Sequence, residues 1–278
     1  MHHAKQSESL RFEISDQPTK IGLSQSVNTI RERVGLLEVP PLSVEIPLAI
    51  FFFDPRYFLI VGPAILLVLA AQAMVRSAFS RWSQEPAQAG LTGAQVAQRV
   101  LALGGVNGVQ IEIARGWLSD HYDPRSHTLR LSEANYSGRS VAAAAIAAHE
   151  AGHAVQHAQN YWPLSLRSAY VPVAMFGDKL AIPLILIGAI FSWPPLIGIG
   201  VLLFSAVVLF QLLTLPVEFD ASRRAKRLLI EGQLISGDHE VRGVSKVLNA
   251  AALTYVAATV QALLTLLYYI MILTGRRN

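Results

Sequence analysis

Between Lys179 and Glu218 the chain runs for 38 residues without a charged side chain. A soluble domain marks the outer faces of its helices with charges, so a run of this length constrains the fold more than any other feature. As one helix it would reach ~57 Å, nearly twice a ~30 Å hydrocarbon core. Ser192-Trp193-Pro194-Pro195 interrupts it with turn chemistry, and the run reads as a helical hairpin across a bilayer. The first arm must begin ahead of Asp178 and Lys179, near Val171, because Leu180 to Phe191 alone would span only ~18 Å. The second arm covers about Leu196 to Leu215. Two more uncharged runs have spanning length, 19 residues from Tyr57 to Val75 and 29 from Val247 to Gly275.

With 52% hydrophobic and 15% charged residues and a mean hydropathy of +0.39, the composition agrees. The expected fold is a mainly α integral membrane protein with about four transmembrane helices. Its basic residues, which set a pI near 9.5, border the apolar runs instead of forming one stripe with aromatics. A lipid bilayer is therefore the expected partner, and nucleic acid is not. Arg76 and Arg81 follow the first span, and Arg223, Arg224, Lys226 and Arg227 follow the hairpin. The positive-inside rule puts both segments on the cytoplasmic side of a multi-pass protein, so residues after Leu215 can complete a site begun before Val171.

The expected organisation follows from these spans. Residues 1–48 form a polar extension, 49–76 a first transmembrane helix and 77–168 a cytoplasmic α+β segment. The hairpin occupies 169–216, a cytoplasmic helix 217–246, and a fourth span with its tail 247–278. The extension is expected to be poorly ordered and to take no part in catalysis. His2-His3 is too short a tract to make a metal site, and the first long apolar run starts too late for a cleavable secretion signal.

Inside the cytoplasmic segment stands His149-Glu150-Ala151-Gly152-His153. On a helix, positions i and i+4 lie ~6 Å apart along one face, so both imidazoles can reach one metal ion. Glu150 projects from the same side, where it can take a proton from a water molecule without being a ligand. The alanine-rich run Val141 to Ala148 leads into the motif with strong helix formers. Cysteine is absent, so catalysis must rest on His, Asp, Glu or hydroxyl groups.

A catalytic zinc, Zn2+, wants three protein ligands. His157 lies ~12 Å up the helix axis from His149, beyond a shared metal, and is expected as a second-shell or merely polar residue. A third histidine at the metzincin spacing is missing, since Gln156 and Gln159 stand at those offsets. Glu218 is the better candidate. Pro216 suits a first helical turn and Thr214 its cap, so Glu218 is expected near the start of a separate cytoplasmic helix that ends at Gly232. The competing reading is a carboxylate that merely complements a helix N-terminus. Ala221, Ser222 and Ala225 share its face, and Ala145, Ala148 and Gly152 face it from the motif helix. Small residues on both sides allow close approach. Asp220 is a second-shell candidate that could orient a ligating imidazole or simply pair with Arg223 or Arg224.

Ahead of the motif, Thr92-Gly93 opens a helix of roughly Ala94 to Leu103 that Gly104-Gly105 ends, and Val109 to Ala114 alternates like a strand. Trp117 to Ser132 reads as a hairpin turning at Asp123-Pro124-Arg125-Ser126. Its edge strand could pair with an extended peptide, or with nothing. His121 and Tyr122 are candidate donors to the oxyanion of a reacting carbonyl, although an ordinary turn histidine fits the pattern as well.

Together, Phe51-Phe52-Phe53-Asp54-Pro55, Leu118 to Pro124, Leu129-Arg130-Leu131-Ser132, the motif helix and Pro216 to Ser222 resemble the YugP-type neutral zinc metallopeptidases of bacterial membranes, from about Phe51 to Arg277. The resemblance implies a gluzincin-like peptidase of the bacterial inner membrane, with His149, His153 and Glu218 on zinc and Glu150 as base. The small cytoplasmic domain would be zincin-like, and the substrate a polypeptide of the membrane or its vicinity. A more distant likeness is to the HtpX and CAAX-type proteases, where an aspartate commonly follows the glutamate by four residues; this chain has Ser222 there. Two other classes remain open. A metal transporter would want ionisable groups inside its spans, and the uncharged runs hold none. A catalytically inactive, chaperone-like scaffold would keep the fold and lack zinc.

Overall fold

The computed structural model of the chain describes residues 54–116 and 119–275. The extension 1–48, the Phe51-Phe52-Phe53 run, Trp117-Leu118 and the Arg276-Arg277 tail lie outside the described residues. Among the described residues, four helices are long and apolar enough to cross a membrane. These are α1 (Pro55–Trp82), α5 (Trp162–Ile190), α6 (Pro194–Glu231) and α7 (Gly237–Gly275). Asp54 caps α1, accepting from the Arg56 N–H at 3.0 Å, with Pro55 in the first turn where a missing N–H costs nothing.

The spans stand in a row, α1 against α7, α7 against α6, and α6 against α5. Lipid tails offer no hydrophobic drive between apolar helices, so backbone proximity must hold such a row together. The hairpin of α5 and α6 shows this at Gly177, where an added Cβ would lie 2.5 Å from the Leu203 carbonyl oxygen. Its bend falls where the sequence puts it, with Ser192 at φ 51° and α6 starting at Pro194.

Pro216 opens no new helix. α6 runs unbroken from Pro194 to Glu231, so the second hairpin arm and the segment carrying Glu218 are one element. Thr214 is not a cap: its hydroxyl donates to the Phe210 carbonyl one turn back at 2.8 Å. A proline inside a helix forfeits one hydrogen bond, a loss that neighbouring helices offset in long apolar helices. Glu218 is therefore a mid-helix residue, and complementing a helix N-terminus cannot explain it.

The remaining elements form a small α+β layer. These are α2 (Gly93–Leu103), β1 (Gln110–Ala114), β2 (His121–Asp123), β3 (Thr128–Ser132), a single turn α3 (Glu133–Tyr136) and α4 (Val141–Ala158). Thr92 and Gln95 make a reciprocal capping box on α2. β2 and β3 pair antiparallel with His121 opposite Arg130, while β1 pairs parallel with β3, which leaves β2 on an edge. The turn between β2 and β3 is closed by the Asp123 carboxylate, which accepts from the Arg125 N–H and the Ser126 hydroxyl.

Ser140 caps α4 by accepting from the Ala143 N–H. Every residue from Val141 through Gly152 is buried. An alanine-rich helix surrounded on all sides by α2, α6, α7 and the sheet lets those elements approach closely. The motif helix thus forms the centre of the layer and joins it to the spans.

Candidate metal centre

α4 carries His149, Glu150 and His153, and α6 carries Glu218, in a buried pocket where His149, Glu150 and Glu218 are each at most 3% exposed. The two helices meet at Gly152, whose added Cβ would lie 2.8 Å from the Ala221 carbonyl oxygen. That contact brings the Glu218 carboxylate 3.2 Å from His149 Nε2 and 3.6 Å from His153 Nε2. One ligand atom from each of the three residues lies within 4.8 Å of the others.

The hydrogen bonds behind the rings decide what these atoms can do. Gln156, fully buried, donates its amide to the Val217 carbonyl at 2.8 Å and to Asp220 at 2.9 Å. Its oxygen is thereby turned to His153 Nδ1, 3.0 Å away, and only an Nδ1–H can satisfy that contact. In the neutral ring, His153 Nε2 then carries a lone pair and faces the Glu218 oxygen. Ser222 Oγ stands 3.2 Å behind His149 Nδ1 and can hold the second ring in the same tautomer. Lone pairs and a carboxylate converging in a buried space repel one another unless a proton or a metal cation lies between them.

Zinc fits this donor set. Four ligands at ~2.0–2.1 Å in a tetrahedron are separated by ~3.3 Å, close to the two His–Glu spacings. Asp220, which Arg224 Nε also bonds, backs Gln156 and so supports His153 at one remove. Arg224 in turn bonds Gln159 and lies over the Tyr161 ring. Of the two arginines considered for Asp220, Arg224 is the one it meets.

A cleft opens beside the cluster, lined by His121 and Tyr122 of the edge strand, by Glu150, His153 and Glu218, and by Leu164, Arg167 and Ser168 of α5 and Tyr255 of α7. His121 Nδ1 lies 2.9 Å from the Ser119 carbonyl, and the Tyr122 hydroxyl lies 3.0 Å from His157 Nδ1. His157 thus meets Tyr122 and the His127 ring, with centroids 5.2 Å apart in the second case, and holds the strand instead of the clustered rings. Asp120, also on the cleft, accepts from the Ser132 N–H and hydroxyl and from Asn135. Burial pushes its carboxyl above the ordinary value, and those bonds act against the rise.

Sequence reasoning did not find Gln156, Tyr255 or Arg167. Gln156 entered only as the residue that breaks another family's spacing, although its i+3 offset from His153 placed it where it could bond that ring. Tyr255 lay inside a run legible only as a span. It is buried against Glu218 and Glu150.

A family model described as "Putative neutral zinc metallopeptidase" matches residues 57–274. "Putative membrane protease YugP" of Bacillus subtilis (strain 168) is 48% identical over 215 residues, covering 77% of this chain and 95% of that protein. No solved structure matches. With a match that takes in all four apolar helices, both histidines and the glutamate from α6, the chain belongs to this metallopeptidase family.

Proposed function

We propose that the protein is a membrane-embedded, zinc-dependent endopeptidase that hydrolyses polypeptides of the membrane or its vicinity. The observation that carries this reading is the convergence of His149 Nε2, His153 Nε2 and the Glu218 carboxylate, with Gln156 fixing the tautomer of His153. His149, His153 and Glu218 would hold the ion. When bound, zinc supplies Lewis acidity that polarises a carbonyl and brings a water's pKa toward ~7.

Glu150 is the general base. Beside His149 and on the cleft wall, it accepts the proton of the attacking water and delivers it to the departing amine, which completes hydrolysis of the C–N bond. His121 and Tyr122 supply hydrogen-bond donors to the charge that develops on the carbonyl oxygen. The free side of β2 holds an extended peptide by backbone pairing along its three residues, which runs the substrate past Glu150. The basic residues at the C-terminal end of α1 and in α6 favour a cytoplasmic position for this cleft.

The test is digestion of β-casein by full-length protein in detergent, with and without 1,10-phenanthroline. Chelator-sensitive cleavage that returns on adding zinc supports the reading; cleavage indifferent to the chelator contradicts it.

A further inference from the structure

Arg167 stands on α5 in the wall of the metal cleft, together with Glu150 and Tyr255. Its guanidinium carbon lies 5.6 Å from the centroid of the Phe210 ring, a cation–π contact that steadies the group without using its hydrogen-bond donors. Its Nε is closed off from solvent and has no acceptor. Asp120, Glu150 and Glu218 share the cleft, yet among the described residues Arg167 forms no salt bridge. A structural arginine at a helix contact is normally spent on a carboxylate or a carbonyl. Here the guanidinium stands on the wall of the metal cleft without a protein acceptor for its Nε, in the second turn of α5.

We propose that Arg167 anchors the substrate backbone in this cleft, its guanidinium taking a carbonyl or terminal carboxylate oxygen of the bound polypeptide. The inference rests on the peptidase reading and adds a residue to it. The planar fork of an arginine suits such oxygens in a way that an ammonium does not, and bonds of this kind are charge-assisted. Arg167 is separate from the metal-holding set, so its loss leaves zinc in place.

Full-length Glu150→Gln protein, loaded with zinc in detergent, serves as parent, and binding of fluorescein-labelled β-casein is read by anisotropy. Adding Arg167→Gln is expected to weaken binding at least ~10-fold with the zinc content unchanged, and Arg167→Lys to recover only part of the loss. A pair of labelled casein decapeptides, one with a free and one with an amidated C-terminus, separates the two oxygen sources. Equal losses assign an internal carbonyl; loss confined to the free acid assigns the terminal carboxylate. Unchanged binding in Arg167→Gln overturns the inference. So does a lowered melting temperature that anionic lipid restores while peptide binding stays intact, which would make Arg167 a lipid-phosphate contact. Absence of binding in the parent itself would instead strike the peptidase reading and this inference with it.

Discussion

The Ala221 carbonyl oxygen lies 2.8 Å from the point where Gly152 would carry a Cβ, closer than real Cβ atoms approach backbone. This contact sets the separation of α4 and α6, and so the distance from the two imidazoles to Glu218. Gly152→Ala is expected to push the helices apart, costing about 1–3 kcal/mol and weakening zinc binding more than the methyl's size suggests. Melting curves of purified protein with zinc and with chelator measure both effects. A variant as stable and as zinc-tight as the parent would show that the contact is not limiting.

Glu150→Gln keeps the shape of the side chain and removes its basicity. Zinc should be retained, and casein cleavage should fall by ~10²–10⁴-fold. His153→Ala should lose both zinc and activity. If the glutamine variant cut at the parental rate, the base would have to be sought elsewhere.

Gln156→Leu fills the same space but leaves His153 Nδ1 without its acceptor and removes one donor each from the Val217 carbonyl and Asp220. Zinc affinity, measured by chelator competition, is expected to drop ~10–100-fold. Ser222→Ala, which removes a single longer contact to His149, should cost less. Equal or reversed effects would contradict the tautomer argument.

The buried Asp120 carboxyl is raised by desolvation, so the folded protein binds this proton more tightly than the unfolded chain does. Its titration therefore adds stability below an unfolded value of ~3.9, and that contribution is lost as pH rises through the higher folded value. Asp120→Asn should flatten this slope. It should also cost about 1–3 kcal/mol near neutral pH by turning an amide toward the Ser132 N–H. Melts of both proteins across mildly acidic to neutral buffers test the sign; a steeper slope in the variant would refute it.

Much of the architecture was legible because charge-free runs and an i, i+4 histidine pair are local signals. Glu218 stands out through its small-residue neighbours, Ala221, Ser222 and Ala225, which allow a close helix contact. The helix break at Pro216 was misread for an equally local reason: proline and threonine there obey the rule for a helix start, and only the packing of α5 and α7 along α6 overrides it. Gln156, Tyr255 and Arg167 were invisible because their roles exist only between elements. A glutamine on a buried helix, a tyrosine in a span and an arginine near a span's end are each unremarkable in sequence.

The most direct measurement is the zinc content of purified full-length protein, parent and Glu218→Ala side by side, by elemental analysis. The account expects about one zinc per chain in the parent and nearly none in the variant. A parent without zinc, or a variant that keeps its full complement, would contradict it.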